Sequence, residues 1–263
     1  MATFKMSRAA SIQIRVIGAL LRREFLALSG KRGGRFLLQM LEPLLFIVAL
    51  GCLFMFRTTI GNIPLPEFIF SGFCILWACR FHIMKIAGAY QANIPLLYHR
   101  YIKVIDLFFA KALIQAFTTT ISSIVLLLVL TYTDYITNFY NPPYIILSWL
   151  LVQWYGFAFA LICGSLSCLS SFGSRLNLVF GVSQVFLTAS FYMVEWLPRD
   201  YREIALYSPM VNATEMMRYG FFGNMCITHF DIKYIVICNI VLTYIGLAMC
   251  RKSMSVEAAD DSA

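Results

Sequence analysis

Six long runs of apolar residues alternate with short polar connections along this chain, at roughly 36–56, 67–89, 113–132, 144–171, 176–194 and 234–250. A helix needs about 20 apolar residues to cross a bilayer core. In lipid, every backbone N–H and C=O must be satisfied within the segment itself. The pattern therefore predicts an all-α integral membrane protein with six transmembrane helices. The fourth run is long enough to tilt. It is parted from the fifth only by SFGSR, read as a tight turn on Gly173.

Four segments do not span. Arg8, Arg15 and Arg22 recur every seven residues, while Ile12, Val16 and Leu20 with Ile17, Leu21 and Phe25 form a broad apolar face. This predicts a basic amphipathic helix over 8–28 lying in the membrane interface. Residues 93–106 form one loop, and 133–143 form a short one rich in turn formers. The longest connection, 195–233, holds WLP, RDYRE and the greasy stretch 211–222. That stretch is too short to span and too apolar for an exposed loop, so a re-entrant or interfacial helix pair is expected. Glu215 and Arg218 are three apart and would share a helix face. The tail VEAADDSA reads as disordered.

Composition fits one membrane domain over 1–263, divided into 1–35, 36–250 and 251–263: 60% of residues are hydrophobic and 13% charged. Lys5 and Arg8 are not followed by a cleavable signal sequence, so the first span is expected to serve as the insertion signal. Fourteen Lys and Arg fall on one side of the predicted topology and five on the other, which puts both termini in the cytoplasm. The +8 charge gathers at membrane boundaries, so it does not point to nucleic acid. Of eight cysteines only Cys226 falls in a loop, and no CxxC or Cys/His metal spacing occurs. They read as packing residues.

Catalysis inside a membrane needs ionisable residues in the spans. Only Glu42, Arg80, His82 and Lys85 lie deep within them, and HExxH, GxSxG and the GxxxxGK[ST] phosphate loop are all missing. No catalytic residue, metal or cofactor is assigned to the chain. Arg80 has two readings, snorkelling to the headgroups or partnering an anionic lipid or a substrate phosphate. Pro43 after Glu42 would bend the first span. Aromatics make up 16% of residues. They fit an interfacial belt, or a path whose rings stack on sugar faces; composition does not separate the two.

The order of these features resembles the membrane-spanning subunit of type-2 ABC exporters, in the capsular-polysaccharide branch. The resemblance rests on ALLRREF (19–25), SGKRGGRF (29–36), the Glu42–Pro43 pair and NIPLLYHRYIKVIDLFFAKAL (93–113). It continues through Leu197–Pro198, Ser208–Pro209, Glu215–Arg218 and Phe221–Phe222–Gly223, and so covers nearly the whole chain. LALSGKRGG (26–34) departs from the usual turn, as do Arg80 and His82 in the second span.

The resemblance implies a homodimeric channel in the bacterial inner membrane, working with two separate ATPase subunits that carry ATP and Mg. Periplasmic and outer-membrane export proteins would complete the route for a lipid-linked polysaccharide. It implies coupling to the ATPase through Leu96, Leu97, Tyr98, Tyr101 and Asp106. It implies a translocation path along Tyr155, Phe159, Tyr192, Trp196, Tyr219 and Phe222, and an outer gate at Pro198, Pro209, Glu215 and Arg218. Arg22, Arg23 and Arg80 are candidates for the lipid headgroup. Three alternatives stay open: a sister exporter of O-antigen or another lipid-linked glycan, a membrane-embedded enzyme of glycan or lipid assembly, and a scaffold.

Overall fold

The structure is a computed structural model, which describes residues 2–29, 34, 37, 41, 45, 59–60, 63–97, 102–136 and 139–260. The first expected span lies outside the described residues apart from Leu37, Leu41 and Leu45, each helical. Tyr98, Tyr101, Glu42 and Pro43 also lie outside them.

Helix α1 covers Ala2–Ser29. A short antiparallel hairpin, β1 (Thr59–Ile60) with β2 (Ile63–Pro64), was not legible in the hydropathy pattern. It leads into α2, Leu65–Ala87, which has extended Pro64 as its N-cap, Pro66 in its first turn and Lys85 in its last. Two short turns of helix follow, α3 (Ala89–Ala92) and α4 (Ile94–Leu97). Helix α5 spans Val104–Tyr132 and α6 spans Pro142–Leu169. Helix α7 runs over Ser171–Leu187. A 3-10 turn at Val194–Trp196 precedes α8 (Arg199–Leu206) and α9 (Pro209–Phe222). Helix α10 runs from Ile232 to Asp260.

Four of these helices are long and apolar enough to cross a membrane: α2, α5, α6 and the Ile232–Ser253 part of α10. At 1.5 Å per residue, the 23 residues of α2 reach about 34 Å, more than the ~30 Å of a hydrocarbon core. Burial ranks them. The most apolar stretch of α2 is 83% buried, against 44% for α6, 28% for α5 and 17% for α10, so α2 is the most enclosed span, while α10 packs on α6. Phe68, Phe73 and Ile75 of α2 meet Leu151 and Val152 of α6 and Met216 and Phe221 of α9 in the main core.

Several boundaries differ from the sequence reading, each for a local reason. The fifth run was expected over 176–194, but α7 has 17 residues, about 26 Å, and stops at Leu187. Thr188 follows, then Ala189 with φ of 50°, a left-handed backbone that no helix continues through. The predicted turn at 171–175 is the first turn of α7, and the reversal is the single residue Ser170. Its extended backbone starts the helix and its Oγ accepts from Gly173 N–H at 3.0 Å. Gly173 is needed there for another reason: a Cβ would stand 2.1 Å from the carbonyl of Leu166. Helix α5 begins at Val104 rather than 113, because Asp106 accepts the Lys103 backbone N–H at 3.1 Å and caps it well before the apolar run. The tail expected to be disordered is helical as far as Asp260, since MSVEAAD contains no helix breaker.

Candidate functional site

Two polar assemblies occupy opposite ends of the bundle. The first centres on α9, in the connection expected to hold a helix pair. Twelve residues of α9 are buried, Glu215 and Arg218 among them. The ion pair expected from their spacing forms at 3.3 Å with both side chains fully enclosed.

Around that pair lies a stretch, 188–194, that leaves helical geometry and whose backbone needs partners. Side chains from α9 and its approach supply them. Ser208 Oγ donates to Leu187 O at 2.7 Å and Thr214 Oγ1 to Thr188 O at 2.6 Å. Arg218 donates to Ala189 O at 2.9 Å and to Tyr192 O at 2.7 Å, and its guanidinium lies 4.4 Å from the centre of the Phe68 ring. Glu215 accepts the backbone N–H groups of Val194 and His229, each at 3.3 Å. The pair thus fastens two irregular segments to one helix.

A more open cluster sits above it. Glu195 contacts Arg202 at 3.0 Å and His229 at 2.8 Å. The His229 hydrogen bond, with Arg202 beside it, holds the Glu195 carboxyl below its ordinary 4.5. Pro198 and Pro209 begin α8 and α9, Pro198 as the N-cap of α8 and Pro209 in the first turn of α9.

The second assembly joins α1 to α3, α4 and α5. Glu24, buried on α1, takes Arg23 on one oxygen and Lys111 of α5 on the other, each at 2.7 Å. Burial pushes its carboxyl up, but these two cations outweigh burial and hold it below 4.5. Arg23 also donates to Asn93, between α3 and α4, and Gln13 donates to Asp106. Of the predicted coupling residues, Asp106 is therefore buried and bonded within the chain, while Leu96 and Leu97 are half-buried.

The predicted headgroup arginines differ from one another. Arg22 is exposed, Arg23 is engaged by Glu24 and Asn93, and Arg80 lies 5.6 Å from the Trp77 ring on the same helix.

The six path aromatics fall into separate groups within one chain. Tyr155 stacks on Phe159 at 5.7 Å, and Trp196 stacks on Phe68 at 5.3 Å. Tyr219 meets Tyr144 edge-on at 5.0 Å. Phe222 is buried in the main core, and Tyr192 is half-buried beside Arg218, to which its carbonyl is bonded.

Sequence reasoning missed Gln13, Glu24 and Lys111, and also Glu195 with His229. Glu24 carried a signal, being the one acid in α1 and four residues after buried Leu20. The pairing of Glu195 with His229 crosses 34 positions and left no local trace.

Relatives with assigned names match across almost the full length. The capsule polysaccharide export inner-membrane protein CtrC of Neisseria meningitidis serogroup B is 34% identical over 245 residues, 92% of each chain. BexB of Haemophilus influenzae, of the same description, is 31% identical over 95% of this chain and 94% of its own. The polysialic acid transport protein KpsM of Escherichia coli is 25% identical over 91% of this chain and 94% of its own. No protein-family model matches.

Proposed function

The chain belongs to the family of capsule polysaccharide export inner-membrane proteins, and from that premise we propose that it is the membrane-spanning subunit of an ATP-driven exporter. Two copies form the channel, two separate ATPase subunits bind at the α1 end, and the cargo is a lipid-linked capsular polysaccharide. Six spans cross the inner membrane, counting the first apolar run and α7. Both termini face the cytoplasm, a placement that the excess of Lys and Arg on that side supports.

The observation that carries this reading is the full-length similarity to inner-membrane proteins named for capsule polysaccharide export. The chain's own chemistry agrees with it. The sequence carries no phosphate-binding loop, so ATP hydrolysis belongs to a partner. The segment 93–106 begins and ends on anchored residues at one end of the bundle, as a docking element for a moving partner would. The irregular stretch before α9 and the α8–α9 pair form a re-entrant exit at the other end. Polysialic acid, which the relative KpsM is named for transporting, is acidic, and the basic residues near the entrance suit an acidic glycan.

Affinity purification from the native membrane, in a detergent that preserves complexes, tests the proposal. The expected result is a stoichiometric ATPase subunit, together with loss of surface polysaccharide and its accumulation inside cells when the gene is deleted. Recovery without an ATPase, with surface polysaccharide intact in the deletion strain, overturns it.

A further inference from the structure

We infer that α1 clasps both ends of the segment that couples the chain to its ATPase, and that Glu24 is the positioning residue that sets the clasp. The inference rests on the exporter reading above and adds to it a route for force.

The coupling segment starts at Asn93 and ends at Asp106. Both residues are buried, 6% and 4% exposed, although the segment between them includes exposed Ile94 and Pro95. Each end is tied first to its own surroundings. Asn93 Nδ2 donates to Ala89 O at 2.8 Å, and Asp106 Oδ2 accepts from Lys103 N–H at 3.1 Å. Each end is then tied to α1 by the oxygen left over, Asn93 Oδ1 by Arg23 and Asp106 Oδ1 by Gln13.

Glu24 completes the arrangement. It lies on the face of α1 that also carries Gln13 and Leu20, about three turns and one turn away. Its two oxygens are shared between Arg23, which reaches the start of the segment, and Lys111, which is on α5 beyond its end. A continuous run of bonds therefore joins the α3–α4 junction to α1 and α1 to α5.

Glu24 is buried, but Arg23 and Lys111 keep part of their surface exposed, 39% and 23%, and ion pairs open to solvent add little stability, so their contribution is a defined geometry. The geometry here has one mechanical consequence. With both ends on the same helix, the segment cannot swing about either end alone, and any displacement by the ATPase must carry α1 and the first turns of α5 with it. Arg23 and Lys111 serve this purpose, while Arg22, in the same turn as Arg23, is exposed.

The test measures ATP turnover and glycan movement together, in inverted membrane vesicles holding the full complex. The probe is radiolabelled lipid-linked polysaccharide extracted from the source bacterium. Glu24→Gln and Lys111→Met should each lower the glycan moved per ATP hydrolysed by about fivefold or more, the low end of typical coupling between sites. ATP turnover itself should fall by less than that. Glu24→Asp should recover part of the ratio, whereas the exchange Glu24→Lys with Lys111→Glu, which sets a second cation beside Arg23, should not. Gln13→Ala, which leaves Asp106 its own helix cap, is the milder variant and should lower the ratio with normal amounts of protein in the membrane. An unchanged ratio in Glu24→Gln overturns the inference. So does a loss of transport that merely follows the loss of folded protein. If the unmodified chain shows no ATP-dependent movement of the glycan, the exporter reading fails and the inference goes with it, an outcome recognised by the failure of the parent rather than of its variants.

Discussion

Arg218→Met tests whether the buried pair on α9 holds the irregular stretch in place. The substitution keeps an unbranched side chain against Phe68 but removes every donor. Glu215 would remain fully enclosed with only the N–H groups of Val194 and His229. The carbonyls of Ala189 and Tyr192, now held at 2.9 and 2.7 Å, would lose their partners. Removing one member of a buried pair costs about 3–5 kcal/mol, mostly the penalty of the stranded charge. Against a typical folding stability of about 5–15 kcal/mol, that is a large fraction.

The double variant Glu215→Leu with Arg218→Met separates that charge penalty from the lost backbone bonds. With no charge stranded, its cost should be no greater than that of Arg218→Met alone; with Glu215→Leu measured as the second single variant, the cycle should give a coupling energy of about 2 kcal/mol or more. Unfolding in mixed detergent, followed by tryptophan fluorescence, supplies these numbers, since Trp196 stacks on Phe68 beside the site and reports on it. Cysteine labelling at position 192 should rise in the single variant as the stretch comes loose. If Arg218→Met costs under about 1 kcal/mol and the double variant is worse, the pair does not fasten these segments and the reasoning fails.

Further outcomes follow from single contacts. Gly173→Ala places a Cβ 2.1 Å from Leu166 O and should destabilise by about 1–3 kcal/mol, seen as a drop of about 2–4 °C in Tm per kcal/mol. Ser170→Ala, which removes the side-chain cap of α7, should cost about 1 kcal/mol by the same measurement. The Glu195 carboxyl titrates below its ordinary 4.5 in the folded chain, so its stabilising contribution is present above pH 4.5 and is lost as pH falls through the lowered value. Thermal stability of the parent and of Glu195→Gln should therefore differ at neutral pH and converge in acid; a gap that persists in acid refutes the assignment. Trp196→Ala should reduce transport more than expression if the ring guides glycan, and a matched loss of both identifies packing on Phe68 as its role.

How much of this was legible depended on the range of each interaction. The helices α2, α5, α6 and α10 appear in the sequence because their apolar runs are local and long. The α8–α9 pair was equally visible, as was Glu215–Arg218, whose partners are three residues apart. The end of α7 was not, because Ala189 adopts a left-handed backbone that glycine or asparagine usually announces, and here α9 side chains hold it from more than 20 positions away. The roles of Glu24 and Asp106 were hidden for the same reason. Asp106 reads as a contact for the ATPase through the family resemblance alone, and nothing local in the sequence shows what it bonds to. Gln13, 93 positions earlier, covers it.

The placement of charge explains why the molecule has two polar ends and a different kind of centre. The ion pairs made by Glu24, Glu195 and Glu215 lie within α1, between α1 and the start of α5, or within 195–229. The middle is cross-linked by neutral groups: Gln153 to Thr119 at 3.1 Å, Trp149 to Thr120 at 3.0 Å and Asn239 to Leu151 O at 3.0 Å. It is also held by close approach, for a Cβ on Gly246 would stand 2.8 Å from Leu161 Cβ. Small residues and neutral hydrogen bonds are what helix contacts use where the surroundings are hydrocarbon, because a charge costs most at that depth. Charge-assisted bonds fix direction as well as distance, so the two ends are held in defined geometries while the centre is held by shape. Salt should then separate the two kinds of ionic contact. Glu195, Arg202 and His229 are partly exposed and would be screened, whereas Glu215–Arg218, with no exposed surface, would not.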